Sequence, residues 1–169
     1  MAPYTPYGPY QFASGKHKGQ YLETLMFQNY GFVDWYLKKL NREISTNGSK
    51  NRLHLHLEWL ITQGETRIPS MLCPVCGLKP IAQFSVIGDP RIGLSMSTGY
   101  AACQCDTECK RHIASMCCGK MPTWKPAKFS SIITFGYKAD QDRFTQLLRE
   151  IYGLTERINA QRAYDFFRY

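Results

Sequence analysis

A chain of 169 residues that is 44% hydrophobic, 14% aromatic and 20% charged has the make-up of a folded globular protein of one domain or two small ones. That balance excludes a disordered chain, and the absence of any run of 18 apolar residues excludes a transmembrane helix. The formal charge of +8 is spread along the chain and favours encounter with polyanions, without bearing on the fold.

The opening MAPYTPYGPY lacks the basic-then-apolar order of a secretory signal. Its Pro and Tyr residues predict an extended arm over residues 1–10. Gln11 to Ser14 suits a short strand, and Ser14-Gly15-Lys16-His17-Lys18-Gly19 suits a turn in which either Gly supplies positive φ. Tyr21, Leu22, Leu25 and Met26 then recur at helical intervals. Phe32, Tyr36 and Leu40 form one helical stripe and Val33, Leu37 and Leu40 an adjoining one, with Trp35 at its edge. After a polar stretch and an Asn47-Gly48-Ser49 turn, a further helix is expected from about Lys50 to Thr62, closed by Gly64 and Pro69. His54 and His56 lie two apart on it, a spacing that separates them around the helix, and are read as partly exposed. Residues 11–69 are therefore expected to form a helical module with a basic turn at its entrance.

From Met71 the pattern changes to cysteine pairs and short β-prone runs. Ile81 to Ile87 and Ile92 to Ser97 flank the turn Gly88-Asp89-Pro90, and Tyr100 to Cys103 suits a third strand. Beyond residue 126, Phe129 to Phe135 reads as a strand. Phe144, Leu147, Leu148 and Ile151 read as a helix, and Thr155 to Phe167 as a terminal one. The expected fold class is α+β: a helical N-terminal module, a central zinc ribbon over 70–126, and a C-terminal strand and helices over 127–169 packed on the rest.

The basic turn has two cations and a histidine held between glycines. Lys16 and Lys18 are suited to phosphate oxygens and the ring of His17 to stacking or hydrogen bonding. It lacks the GxxxxGK[ST] spacing of an ATP-binding loop. Phe12, this Gly-Lys-His-Lys-Gly turn, and the later Tyr30, Trp35 and Leu37 resemble a small domain found alone in bacteria and at the C-terminus of some DnaQ-like exonucleases. The resemblance covers about residues 10–40 and implies a nucleic-acid-associated accessory domain without nuclease chemistry.

Seven cysteines are an odd number, set in close pairs, which speaks against a purely disulfide framework and for an intracellular reducing compartment. Cys73-Pro-Val-Cys76-Gly77 is a knuckle turn whose sulfurs can face one ion. Cys103 and Cys109 are the expected second pair, with Cys105, Cys117 and Cys118 as alternates. The order is similar to the zinc ribbons at the C-terminus of bacterial type IA DNA topoisomerases, a resemblance over residues 71–112 that implies single-stranded DNA binding. Zn²⁺ is the expected cofactor, in a four-ligand structural role; an iron–sulfur cluster suits the same sulfurs, but no redox partner is evident. Lys110 and Arg111 follow the last ligand and are expected to meet phosphates, with Tyr100 or Phe84 available for stacking and Phe84 favoured as core. No catalytic triad or converging acid set can be assembled. The expected function is non-catalytic binding of nucleic acid, DNA or RNA, with no membrane association. Zinc-stabilised protein–protein interaction is the alternative.

Overall fold

The computed structural model describes residues 4–86, 101–116, 124–133 and 141–169. Its elements run α1 (Leu22–Met26), α2 (Tyr30–Asn47), α3 (Arg52–Glu65), β1 (Gln83–Val86), β2 (Ala101–Gln104), α4 (Thr107–Met116), β3 (Lys125–Pro126), α5 (Phe129–Ile133), α6 (Gln141–Ile151) and α7 (Ala160–Arg168). The fold is thus mixed α+β, with helices at both ends of the chain and a small sheet between them. None of the described helices is long and apolar enough to cross a membrane.

Asparagine side chains decide where α2, α3 and α7 begin. Asn29 accepts from the Phe32 N–H at 3.2 Å to open α2, Asn51 from the His54 N–H at 2.9 Å to open α3, and Asn159 from the Arg162 N–H at 2.8 Å to open α7. The last of these starts the terminal helix at Ala160 rather than at Thr155. Gly48, at φ 70°, ends α2 in the left-handed conformation that suits glycine, so the polar stretch after Asn41 is the final turns of that helix.

Helix α3 ends at Glu65, one residue beyond Gly64. A Cβ at Gly64 would lie 2.4 Å from Cγ of Phe129, so the missing side chain is a socket for that ring. Phe129 is fully buried and belongs to α5, which replaces the expected strand over 129–133, while 134 and 135 lie outside the described residues. Two tertiary contacts favour the helix. Phe129 docks in the socket, and the Ser130 N–H donates to Glu65 Oε1 at 2.5 Å, so a carboxylate of α3 satisfies the start of α5. Phe27, Phe129, Phe166, Phe167 and Tyr152 pack around this point with ring centroids 5.0–6.3 Å apart. The N- and C-terminal helices therefore share one aromatic core.

A second correction concerns the histidines. His54 and His56 are buried, at 2% and 1% exposure. His56 Nε2 lies 2.5 Å from the equally buried Glu23 Oε1, and its Nδ1 lies 3.2 Å from the Tyr4 hydroxyl. Both Glu23 oxygens accept the Tyr10 N–H at 3.1 Å. A buried carboxylate needs partners on all sides, and here they fasten the N-terminal arm to α1 and α3.

The sheet has the order β2-β1-β3 with both pairings antiparallel, and Phe84 stands opposite Cys103 on one side and Lys125 on the other. Phe84 is fully buried, the core role expected for it. The anticipated turn at 88–90, the strand at 92–97, and Tyr100 lie outside the described residues.

Gly64→Ala is expected to destabilise the protein although alanine is the better helix former by about 1 kcal/mol, because crowding Phe129 costs about 1–3 kcal/mol. Denaturant unfolding should show a lower midpoint; a raised midpoint would contradict the socket.

Candidate metal centre and basic turn

The knuckle is built before any metal is considered. The Cys73 N–H donates to the Lys79 carbonyl at 2.8 Å and the Gly77 N–H to the Cys73 carbonyl at 2.7 Å, with Gly77 at φ 65°. A bridge between Leu72 and Pro80 closes the loop. Its entry is fastened to the helical body, since the N–H groups of Ser70 and Met71 both donate to the Ile151 carbonyl, at 2.9 and 3.0 Å. From its exit the chain enters β1, with the Ala82 N–H donating to the Gln104 carbonyl at 2.9 Å.

That last bond sets the end of β2 beside the knuckle. Cys105 follows the strand directly, and Asp106 opens α4 by accepting the Cys109 N–H at 3.1 Å. Cys105 and Cys109 are thereby held about one helical turn apart. The Lys79 ammonium meets Asp106 Oδ2 at 3.2 Å, joining knuckle to helix. The Cys109 amide and then the Lys79 ammonium hold the Asp106 carboxyl down to about 2.

The sulfurs of Cys73, Cys76, Cys105 and Cys109 lie within 4.8 Å of one another. Cys76 and Cys105 are 3.5 Å apart, and Cys105 and Cys109 3.6 Å. A tetrahedral zinc with Zn–S bonds of about 2.3 Å sets its sulfurs about 3.8 Å apart, so this donor set fits the ion in number, type and spacing. Cys73 and Cys109 are buried and the other two half-buried.

The clustered sulfurs include that of Cys105, an expected alternate, while the Cys103 side chain lies outside what the structure describes. Cys103 lies in β2, where its backbone is paired opposite Phe84, two residues before the chain reaches the knuckle. The second pair also arrives on a strand end and a helix start instead of in a second knuckle. Cys117 and Cys118 lie outside the described residues.

The four thiols are not equivalent. The amides of Leu78 and Lys79 hold Cys76 down to about 6, because they stabilise its thiolate. Burial pushes Cys105 up to about 11, and it pushes Cys109 up as well. The knuckle thus offers a ready thiolate, while the helix-side sulfurs hold their protons until a cation draws them off.

The basic turn forms as expected, with Gly15 and Gly19 both at φ 80°. The N–H groups of Lys18, Gly19 and Gln20 donate to the carbonyls of Gly15, Phe12 and His17 at 3.1, 2.8 and 2.9 Å. Those amides serve the turn, so the positive charge offered outward is that of the exposed Lys16 and Lys18 side chains. His17 points the other way. It is 7% exposed, its ring centroid lies 4.0 Å from that of Phe32, and its Nδ1 lies 2.5 Å from Gln20 Oε1. It anchors the turn to α2.

Among the later cations, Lys110 is half-buried, donating to Gln83 Oε1 at 3.3 Å and lying 5.6 Å from the centre of the Trp124 ring. Arg111 is exposed on α4. The feature that sequence reasoning underweighted is Asp106-Thr-Glu-Cys109, a helix-opening pattern that places Cys105 at the helix entrance.

Fold and site together define a mixed α+β protein with a four-cysteine cluster geometrically suited to Zn²⁺. Comparison with protein-family models, curated proteins and solved structures gives no match.

Zinc binding by metal-free protein is expected to release the protons of both Cys105 and Cys109 near neutral pH, so that affinity rises as pH is raised from about 6 to 8. Calorimetry in buffers of different ionisation enthalpy measures the release. Cys105→Ser should abolish stoichiometric zinc while Cys103→Ser retains it; the reverse pattern would return Cys103 to the site.

Proposed function

We propose that the chain is a non-catalytic nucleic-acid-binding protein whose central segment is held by a structural zinc ion on Cys73, Cys76, Cys105 and Cys109. The convergence of four sulfurs from a knuckle, a strand end and a helix start carries this reading. Four protein ligands leave no position for a reactive water, which supports a structural role. When bound, the ion supplies the energy that holds short strands together. Free thiols at all four positions suit a reducing compartment. The expectation of a ribbon that binds single strands passes to this unit of knuckle, small sheet and helix, with Arg111 exposed on α4.

For nucleic acid, the support is the excess of +8 together with Lys16 and Lys18, projected from a turn whose shape its own amides and the inward His17 maintain. Neither lysine has an ion-pair partner among the described residues. Lysines fixed in this way contact phosphates without reading bases.

A second reading draws on the knuckle's exterior. Leu72, Val75 and Leu78 are exposed there and Ile68 just before it, Ile68 and Leu78 to 80%, and exposed apolar side chains of this kind suit a protein partner. In that case zinc serves stability alone.

Titration with labelled single- and double-stranded DNA and RNA at several salt concentrations separates the two. The first reading predicts affinity that falls steeply with salt. Replacing Lys16 and Lys18 with Gln should weaken binding and flatten the single-strand salt slope by about 1.4, at about 0.7 per phosphate contact. Binding that ignores salt and both lysines would contradict it.

A further inference from the structure

We propose that Trp35 is a base-stacking platform and that the basic turn and α2 together take a single strand across it. This deepens the nucleic-acid reading and rests on it. Tryptophan is usually well covered in folded chains, yet Trp35 is 50% exposed on a helix whose inner face is already supplied by Val33 and Leu40, both buried. A continuous train of rings ties it to the turn. His17 packs on Phe32 at 4.0 Å, Phe32 on Trp35 at 5.9 Å, and Trp35 on Tyr36 at 5.8 Å. Phe12 braces Phe32 and Tyr36 from the turn at 5.8 and 6.1 Å. The indole is therefore carried on α2 and joined through Phe32 and His17 to the turn that bears Lys16 and Lys18.

The surrounding charge suits a phosphate backbone. Lys39 Nζ lies 5.7 Å from the centres of both the Trp35 and Tyr36 rings, and Arg42 is exposed further along the same helix. Of the neighbouring acids, Asp34 is neutralised by Lys38 at 2.6 Å and Glu43 faces Lys39 at 3.6 Å. Lys39 lies over part of the indole and yields it to an incoming base, and a half-exposed ring among cations supplies the two parts of a single-strand site. A duplex has already used its base faces in its own stack, and an acidic peptide has no planar ring for the indole, so an unpaired base is the partner this pairing favours.

The test compares a short single strand with an abasic strand of the same length and charge, using the whole protein. Wild type should bind the normal strand at least about five-fold more tightly. Trp35→Ala should erase that ratio and Trp35→Phe should keep most of it, which also covers the case of a poorly folded alanine variant. Replacing Lys16 and Lys18 should weaken both strands alike. Equal binding of the two strands by wild type, or a ratio that survives Trp35→Ala, overturns the platform while salt-dependent binding leaves the broader reading intact. Failure of wild type to bind either strand removes both.

Discussion

The meeting of four sulfurs is the constraint on which the middle of this protein depends. The described part of that segment buries few apolar side chains, chiefly Ile81, Phe84, Ile113 and Ala127. Its strands are two to four residues long, too short for a sheet to stand without support. What brings knuckle, sheet and α4 together is a shared point to which Cys73, Cys76, Cys105 and Cys109 converge. Each surrounding bond serves it: the Gly77 turn aims the first pair, the Asp106 cap sets the second, and the Lys79–Asp106 contact holds the two halves in register. The double bond from Ser70 and Met71 to the Ile151 carbonyl then fixes the unit to the helical body.

The N-terminal turn solves a related problem without metal. A loop bearing two lysines would ordinarily be mobile, and mobile lysines gain little from a phosphate once their lost freedom is subtracted. Placing His17 between them, facing inward against Phe32, converts alternation along the turn into an anchor with a cation on either side. The same aromatic bed supports Trp35, so order from the core reaches the surface where a ligand would meet it. The buried Glu23, bridging His56 and the Tyr10 amide, secures the chain leading into the turn.

Much of this architecture is legible in the residues themselves, for identifiable reasons. The helical stripes of α2 and α3 are periodic and capped by asparagine, and CPVCG is a knuckle because its spacing and glycine admit few other shapes. The glycines of the basic turn likewise declare themselves. What escapes sequence reading depends on distant partners. Gly64 reads as a helix end, and its second role, leaving room for Phe129, is invisible until that ring is seen beside it. FSSII looks like a strand until Glu65 of another helix is seen to cap it. His56 looks half-exposed until Glu23 is found against it. That Cys105 joins the other sulfurs turns on where β2 ends, since the bond from Ala82 to the Gln104 carbonyl sets how far the chain has travelled when it passes the knuckle.

Zinc-edge X-ray absorption on the purified, metal-loaded protein addresses the central claim most directly, because it counts the atoms bound to the ion. Four sulfur neighbours at about 2.3 Å are the predicted result. A first shell containing nitrogen or oxygen, or a fully folded protein that takes up no zinc, would contradict the account.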